Sequence, residues 1–394
     1  MPDYQNLLPY CKTDRQIEIF QSLIKTNSQN GTAKELDFNL SSCKEVIARV
    51  KRQASKQGYD PEHDMTHPIP MHMGLQRVST NYDDEGNVRQ QWVIQKPGAE
   101  AQEEGFRAFV EGLNSEVKKA KPKKFKKLKT QTDELASAII FGDAHIGSLA
   151  HAIETNGPDH SLQTATDDIK AAMDYLVSCA SPSKQGWFIN VGDFLHVCSS
   201  ANTTVGGTKQ DVSANFSQVM RAGAEAIKYS INLMLTKFEE ITVVNARGNH
   251  DGDAAFALNL IIEAYFENEP RVKVLTNDSK FNFIEFGQCL IGVTHGDKIN
   301  HSRLCGVMTR EQAPAWGRST FRRWITGPFH HAQTKEHDAG VTIETFATLA
   351  PADAWHSSSG YGAESKATLI TYHRQHGEVM RLAPSINLIR EHAA

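Results

Sequence analysis

The sequence predicts an α/β domain preceded by a small helical domain, on three observations. Residues 13 to 57 carry apolar side chains at helical spacing, and from about residue 136 short apolar strands alternate with helices. A lysine-rich run separates the two textures, so the chain divides near residue 130. At 394 residues the length suits roughly two or three domains. The composition, 40% hydrophobic and 22% charged, is that of a globular protein and excludes a disordered or membrane-embedded chain.

The first segment reads as three helices. TDRQIEIFQSLIKT places Ile17, Phe20, Leu23 and Ile24 on one face, NGTAKEL is short, and SSCKEVIARVKRQASKQ is longer. The tight connection DFN, with Ser41 or Ser42 able to cap the next helix, gives the layout of a helix-turn-helix. The last helix would then be the recognition helix, presenting Ser42, Lys44, Glu45, Arg49, Lys51 and Arg52 to DNA. Asp37 stands in the turn where related DNA readers often have glycine, and a plain helical bundle with a solvated basic face is the other reading.

Residues 75 to 97 read as a hairpin around the turn signal DDEGN, either a wing on the helical module or a spacer. The run KKAKPKKFKKLK follows, with eight lysines in twelve positions, and reads as a solvated tether able to contact phosphates. In the second half SAIIFGD, GWFINVGD and ITVVNARGNHD read as strands, followed by helices near 163 to 180, 211 to 236 and 253 to 267. Shorter strands follow in RVKVLT, KFNFIEF, QCLIGVTHGD, RWITG and VTIETF.

Nothing in the chain has the ~20-residue apolar run of a membrane span, and MPDYQNLLPYCKTD lacks the pattern of a secretory signal. The expected location is cytoplasmic, in the host cell if the protein is viral. Six cysteines without regular spacing or a CxxC pair read as reduced thiols rather than a disulfide framework or zinc fingers. The net charge of −4 leaves nucleic-acid binding to local patches.

Four strand ends in the second half finish in metal-friendly residues: FGDAH, NVGDFLH, RGNHD and THGD. Ligands gather outside the carboxyl ends of strands in open α/β sheets, so Asp143, His145, Asp193, Asn249, His250 and His295 should converge. One such tripeptide is ordinarily a turn or a cap. Four in order are a signature.

These residues resemble the calcineurin-like metallophosphoesterases, whose motifs run DxH, GDxxD or GDxxH, GNHD or GNHE, a lone histidine and GHxH. The whole chain is similar to bacteriophage proteins that place a helix-turn-helix before such a domain, through YDPEHDMTHP, RGNHDGD and RWITGPFHHAQ. The resemblance implies a four-layer α/β/β/α sandwich. It also implies this organisation: residues 1 to 65 a helix-turn-helix module, 66 to 100 a hairpin segment, 101 to 132 a helix and lysine-rich linker, and 133 to 394 the metallophosphoesterase domain.

Cleaving a phosphate ester at neutral pH needs a nucleophile made from water and a clamp for developing charge, and two divalent metals ~4 Å apart supply both. By the family's pattern Asp193 bridges them, Asp143, His145 and His330 complete the first site, and Asn249 and His295 serve the second. His250 would protonate or stabilise the leaving oxygen, and His196 would sit near the leaving group as in nucleases carrying GDLFH. The mix of nitrogen and oxygen donors suits manganese, zinc, iron or similar ions, and affinity order alone does not choose among them; manganese is the expected metal, with zinc, iron, nickel or magnesium as the alternatives.

One motif departs from the pattern. GHxH aligns with Gly327, Pro328, Phe329 and His330, and proline has no donor atom, so the second metal should be held more weakly, with extra water. His331 points to the other face of an extended segment from 328 and 330, which leaves Asp297 as a further substitute ligand.

GDFLH without a following DRG, joined to the helical module and the basic run, favours a nucleic-acid phosphodiester as substrate. The alternatives are a phosphomonoesterase acting on phosphoprotein or nucleotides, and a DNA-binding protein whose phosphoesterase domain is inactive. Of the neighbouring residues, Trp316, Phe321 and Trp324 read as core, Arg318, Arg322 and Arg323 as phosphate contacts, and His151, His160, His301, His337 and His356 as ordinary loop histidines.

Overall fold

Three side chains start the three helices that open the chain: Thr13 accepts from the Gln16 N–H, Ser28 from Gly31 and Asn39 from Ser41. The computed structural model describes residues 4–65, 69, 73–97, 119–122, 131–155, 157–276, 279–327, 333–337, 340–360 and 364–393, and the chain divides into two units, 1–109 and 110–394. In the first unit the helices are α1 (Asp14–Thr26), α2 (Gln29–Glu35) and α3 (Leu40–Lys56). The cap of α3 is thus Asn39, not Ser41 or Ser42. Its amide oxygen lies before the first turn, where the unsatisfied N–H groups point.

The buried stripe of α1 also differs from the expected one. Ile19, Phe20 and Leu23 are fully buried, whereas Ile17 and Ile24 are 36% and 40% exposed. The aromatic and aliphatic side chains of a 3-10 helix at Tyr4–Tyr10 pack with α1 and with Cys43, Ile47 and Val50 of α3, and that partner rotates the buried face. Asp37 has φ 45, the left-handed conformation that glycine usually supplies and that Asp tolerates better than most residues. The residue that looked like a departure from the turn pattern therefore adopts the backbone the turn requires.

The hairpin is β1 (Met73–Tyr82) and β2 (Val88–Pro97), antiparallel, with Asp83 Oδ1 accepting the N–H groups of Glu85 and Asn87 across the turn. Tyr82 Oη donates to Asp64 and Gln91 to the Asp64 carbonyl, which tie the hairpin to the end of the helical segment.

The second unit is built on two sheets. The larger has strand order β13-β12-β3-β4-β5-β6, from β3 (Thr132–Phe141), β4 (Ser183–Asn190), β5 (Glu240–Asn245), β6 (Val272–Val274), β12 (Ala367–His373) and β13 (Gly377–Leu382). β3 to β6 run parallel, and β12 and β13 are antiparallel additions at one edge. The central parallel strands are buried on both faces, which is why they read as continuous apolar runs. The smaller sheet has order β10-β11-β9-β8-β7, from β7 (Asn282–Phe286), β8 (Cys289–Val293), β9 (Phe321–Thr326), β10 (Gln333–His337) and β11 (Val341–Thr345).

Alternate residues of the two sheets meet in one core. Ala138, Ile140 and Trp187 come from the larger sheet, and Ile291, Val293 and Ile325 from the smaller. The outer face of the smaller sheet, with Leu290, Trp324 and Ile343, packs on α8 (Leu304–Glu311) and α9 (Ala313–Arg318). Over the larger sheet lie α5 (Leu162–Cys179), α6 (Phe216–Met234), α7 (Gly252–Phe266) and α11 (Ile386–Ala393). The short α4 (Ala152–Thr155) and α10 (Ala354–Ser358) pair with each other at the loops. This is an α/β/β/α sandwich.

Four charges join the sheets. Arg323 and Arg381 bind Glu344, and both also reach Glu378 at 2.7 Å. Arg390 grips Asp168 through two 2.7 Å hydrogen bonds and anchors α11 on α5. Residues 101–118 and 123–130, where the linker helix and most of the lysine run were expected, lie outside the described residues. Within 119–122, Lys119 pairs with Glu267 and the Ala120 N–H donates to the Tyr265 carbonyl, so this part of the run is docked on the end of α7. No helix among the described residues is long and apolar enough to cross a membrane.

Candidate metal centre at the strand ends

β3, β4 and β5 are parallel neighbours, so the loops leaving their carboxyl ends emerge side by side; β8 and β9 deliver two more from the facing sheet. Asp143 and His145 follow β3, Asp193 and His196 follow β4, Asn249 and His250 follow β5, and His295 follows β8. The backbone ties these loops together: the His145 N–H donates to the Asp193 carbonyl at 3.0 Å and the His196 N–H to the Ile146 carbonyl at 3.0 Å.

The side chains converge. Ligand atoms of Asp143, His145 and Asp193 lie within 4.8 Å of one another, and so do those of His145, His196 and His250. His295 Nε2 is 2.9 Å from Asn249 Oδ1 and 3.2 Å from Asp193 Oδ2, while its Nδ1 faces the Val191 carbonyl at 3.1 Å and Asp143 at 3.7 Å. His196 and His145 meet Nδ1 to Nδ1 at 3.3 Å, and His250 Nδ1 lies 3.0 Å from the His196 carbonyl. All seven expected residues up to His295 therefore share one place. Pro328, Phe329, His330 and His331 lie outside the described residues, and Asp297 is half-buried two residues beyond His295.

Two of the six described non-glycine residues with positive φ lie here. His145 (φ 43) and Asp193 (φ 48) both adopt left-handed conformations, which cost a non-glycine residue of order 1–3 kcal/mol and aspartate at the low end of that range. Close approach also requires glycine at several points. A Cβ on Gly248 would sit 1.9 Å from Asp193 Oδ1, and one on Gly327 would sit 2.8 Å from Asp143 Oδ1 and 2.7 Å from Val191. The Gly327 N–H donates to the His295 carbonyl at 3.1 Å, so the final motif begins against the site.

The electrostatics are those of a cation site. Asp143 and Asp193 are 0% and 1% exposed, and burying two carboxylates costs several kcal/mol each unless positive charge offsets it. Burial raises the Asp143 carboxyl well above its usual range, opposed by His295. Burial also acts upward on Asp193, but His295 and the His250 N–H outweigh it and leave the carboxyl below its usual value. In His295 burial disfavours the charge, yet Asp193 and Asp143 carry the ring up to about 10. His196 goes the other way: burial, then the neighbouring His250, push it down to about 3, a neutral ring. Carboxylates, an amide oxygen and imidazoles in one largely buried cluster fit divalent transition metals.

Sequence reasoning missed several supports. Asp251, fully buried, accepts from the Gly248 N–H and the Leu195 N–H at 3.0 Å each and so clamps the β5 loop to the β4 loop. Burial and the nearby Asp193 lift its carboxyl to about 7. Its place in GNHD beside Gly248 was visible, but its second partner, Leu195, is not local. Thr348 donates to the Asp143 carbonyl at 2.7 Å, and no sequence signal marks it. Asn190, Asn245 and Asn259 form a buried amide ladder behind the loops, with Asn190 donating to Asn245 at 2.7 Å and Asn245 to Asn259 at 2.9 Å.

Other expectations are corrected. Arg318 pairs with Glu285, Arg322 lies over Trp316 and donates to its carbonyl, and Arg323 belongs to the inter-sheet network, so all three arginines have partners within the fold rather than standing ready for phosphate. Trp324 is core as expected, but Phe321 is 38% exposed. His160 is not an ordinary loop histidine: it is buried, its backbone pairs with Ala150, and burial lowers its pKa. In the first unit Lys44, Arg49 and Arg52 are exposed on α3, whereas Ser42 is half-buried and Lys51 is tied to Glu62 at 2.6 Å. The six cysteines are free thiols.

No family model and no curated protein matches the chain. Solved structures do show likeness. A conserved uncharacterised protein of Streptococcus pneumoniae, described as a predicted phosphoesterase, is 10% identical with a TM-score of 0.28 over 64% of this chain and 98% of its own. A single mutant of Vps29 from Entamoeba histolytica is 13% identical with a TM-score of 0.28 over 63% and 98%. A dimetal phosphatase from Danio rerio is 8% identical with a TM-score of 0.33 over 64% and 98%. At these identities and scores the likeness carries no argument about function; the side chains at the strand ends do.

Proposed function

We propose that the second unit is a metal-dependent phosphoesterase of the calcineurin-like type, acting on phosphodiesters in nucleic acid. The observation that carries this reading is the convergence of Asp143, His145, Asp193, Asn249 and His295 beside His196 and His250. Asp193 would be shared by two divalent cations, Asp143 and His145 would hold the first with His330, and Asn249 and His295 would hold the second. Cations held there acidify water and withdraw charge from phosphate oxygens.

The protein's own groups do the rest. His250 donates from Nδ1–H to the His196 carbonyl, which leaves Nε2 to face the leaving oxygen and, when the ring carries both protons, to donate to it. His196 is held neutral by burial and orients His145 through the 3.3 Å contact between their Nδ1 atoms. The strained loops fix these groups before substrate arrives, so little reorganisation is needed at the reacting phosphate.

Nucleic acid is favoured as substrate by the first unit. The αL turn at Asp37 and the exposed Lys44, Arg49 and Arg52 suit a helix-turn-helix, with α3 in the major groove. The hairpin beside it sets Arg77 across from Ile94 and Ser79 across from Trp92, and Trp92 is 50% exposed. Manganese is the expected metal. A screen of manganese, zinc, nickel and magnesium against single- and double-stranded DNA and RNA, with mono- and bis-p-nitrophenyl phosphate as small probes, tests the reading. Turnover of monoester alone would replace the nuclease by a phosphomonoesterase. Salt-sensitive DNA binding without turnover would replace it by an inactive DNA-binding protein.

A further inference from the structure

Between the end of the second motif and the start of α6 the chain makes an excursion, residues 197 to 213, that touches three of the four motif loops. It leaves His196 and folds into a small hairpin in which the Cys198 N–H donates to the Thr203 carbonyl at 3.0 Å and Thr203 pairs with Lys209. The hairpin then rests on the third motif: the Val205 N–H donates to the Asn249 carbonyl at 3.0 Å. Val205 Cγ2 lies 3.0 Å from where a Cβ on Gly252 would stand, at the first turn of α7. The return closes on the first motif loop, where Val212 pairs with Ser148 and the Ser213 N–H donates to the Gly147 carbonyl at 2.9 Å.

The tip of this hairpin is Thr204-Val205-Gly206-Gly207-Thr208. A Cβ on Gly207 would meet nothing within 4 Å, and Val205 is 44% exposed although it is anchored one residue from His250. An exposed β-branched side chain gains nothing from water, and the backbone that carries this one is bonded to Asn249, the residue before the group assigned to the leaving oxygen.

We infer that Val205 is a specificity residue: the hairpin at 203–209 borders the site where it rests on the Asn249 loop, and Val205, its one apolar side chain, packs against the ring-bearing alcohol, nucleoside or aryl, on the leaving side of the phosphodiester. The inference rests on the phosphodiesterase reading and deepens it. It makes Val205 a contact for substrate binding, outside the metal ligands and the proton donor, so its effect falls on KM more than on kcat.

The test is steady-state kinetics of the full-length protein with bis-p-nitrophenyl phosphate and with the dinucleotide TpT, for wild type and for Val205→Leu, Val205→Ser and Val205→Asp. The expected result is a KM raised about fivefold by Val205→Ser and tenfold or more by Val205→Asp, unchanged or lowered by Val205→Leu, with kcat within about twofold throughout. A change in kcat shared by all three variants, or KM values indifferent to all three, overturns the inference while an active wild type upholds the phosphodiesterase. A wild type that turns over neither substrate with any metal removes both together.

Discussion

Asp193 Oδ1 accepts the backbone N–H of His250 at 2.7 Å, so the carboxylate proposed to join two cations is also the group that places the proposed proton donor. Its other oxygen faces His295 Nε2 at 3.2 Å. One residue with a left-handed backbone thus ties the β4, β5 and β8 loops into a single unit, and each consequence below follows from that geometry.

Asp193→Asn keeps an oxygen for the His250 N–H but removes the negative charge. Metal affinity should fall by more than about a hundredfold, since even outer partners of metal ligands cost ~10–100-fold when removed. Titration of Mn(II) followed by calorimetry, with thermal melting as a second readout, measures this; an unchanged metal-induced rise in Tm would remove Asp193 from the centre.

His250→Ala retains the backbone N–H that Asp193 accepts, so the metal centre should stay assembled. Turnover of bis-p-nitrophenyl phosphate should fall by about 10²–10⁴ in kcat while manganese binding is kept. Retained turnover would deny His250 its role.

Metal binding should release protons. The His295 ring is carried to about 10 by its carboxylate neighbours and is protonated at pH 8 in the metal-free protein, whereas a ligand ring must be neutral. Affinity at the second site should therefore rise with pH, and binding enthalpies in Tris and HEPES should differ by about one proton's worth of buffer ionisation or more. The sign for the metal-free fold is opposite: a histidine raised from 6.5 contributes stability that is complete below that value and is lost as pH rises through about 10. Buffer-independent enthalpies would contradict the assignment.

Gly327→Ala forces a methyl against Val191 and Asp143 and should destabilise the fold by ~1–3 kcal/mol while weakening metal binding. Pro328→His restores the donor that the sequence motif lacks and should tighten the weaker of two metal sites. Denaturant unfolding checks the first change and Mn(II) titration the second; equal affinities in wild type and Pro328→His would end the idea of a weakened site.

In the first unit, replacing Lys44, Arg49 and Arg52 together with alanine should lower DNA affinity and reduce the slope of log affinity against log salt by up to ~3, about one for each phosphate no longer neutralised. Helix content should be unchanged, because all three side chains are exposed. An unaltered salt slope would make α3 a solvated helix and nothing more.

The strand ends were legible because their chemistry is written locally: Asp143 and His145 lie two residues apart, Asn249 and His250 are adjacent, and strand direction places them on one edge. The buried stripe of α1 was not legible, since Ile19 outranks Ile17 only once Tyr4–Tyr10 packs beside it. The same holds for Arg323, whose partners Glu344 and Glu378 belong to two other strands, one of them in the opposite sheet, and for Val205, which meets Asn249 through a backbone hydrogen bond that side-chain type does not announce. Asp37 is the instructive case, because the residue that seemed to weaken the turn holds the positive φ the turn needs.

The most direct measurement is manganese-dependent hydrolysis of bis-p-nitrophenyl phosphate by the full-length protein, run beside Asp193→Asn and His250→Ala. The expected result is metal-stimulated turnover in wild type, loss of both metal binding and turnover in Asp193→Asn, and loss of turnover alone in His250→Ala. A wild type without metal-stimulated turnover, or activity that survives Asp193→Asn, would contradict a metal centre at these strand ends.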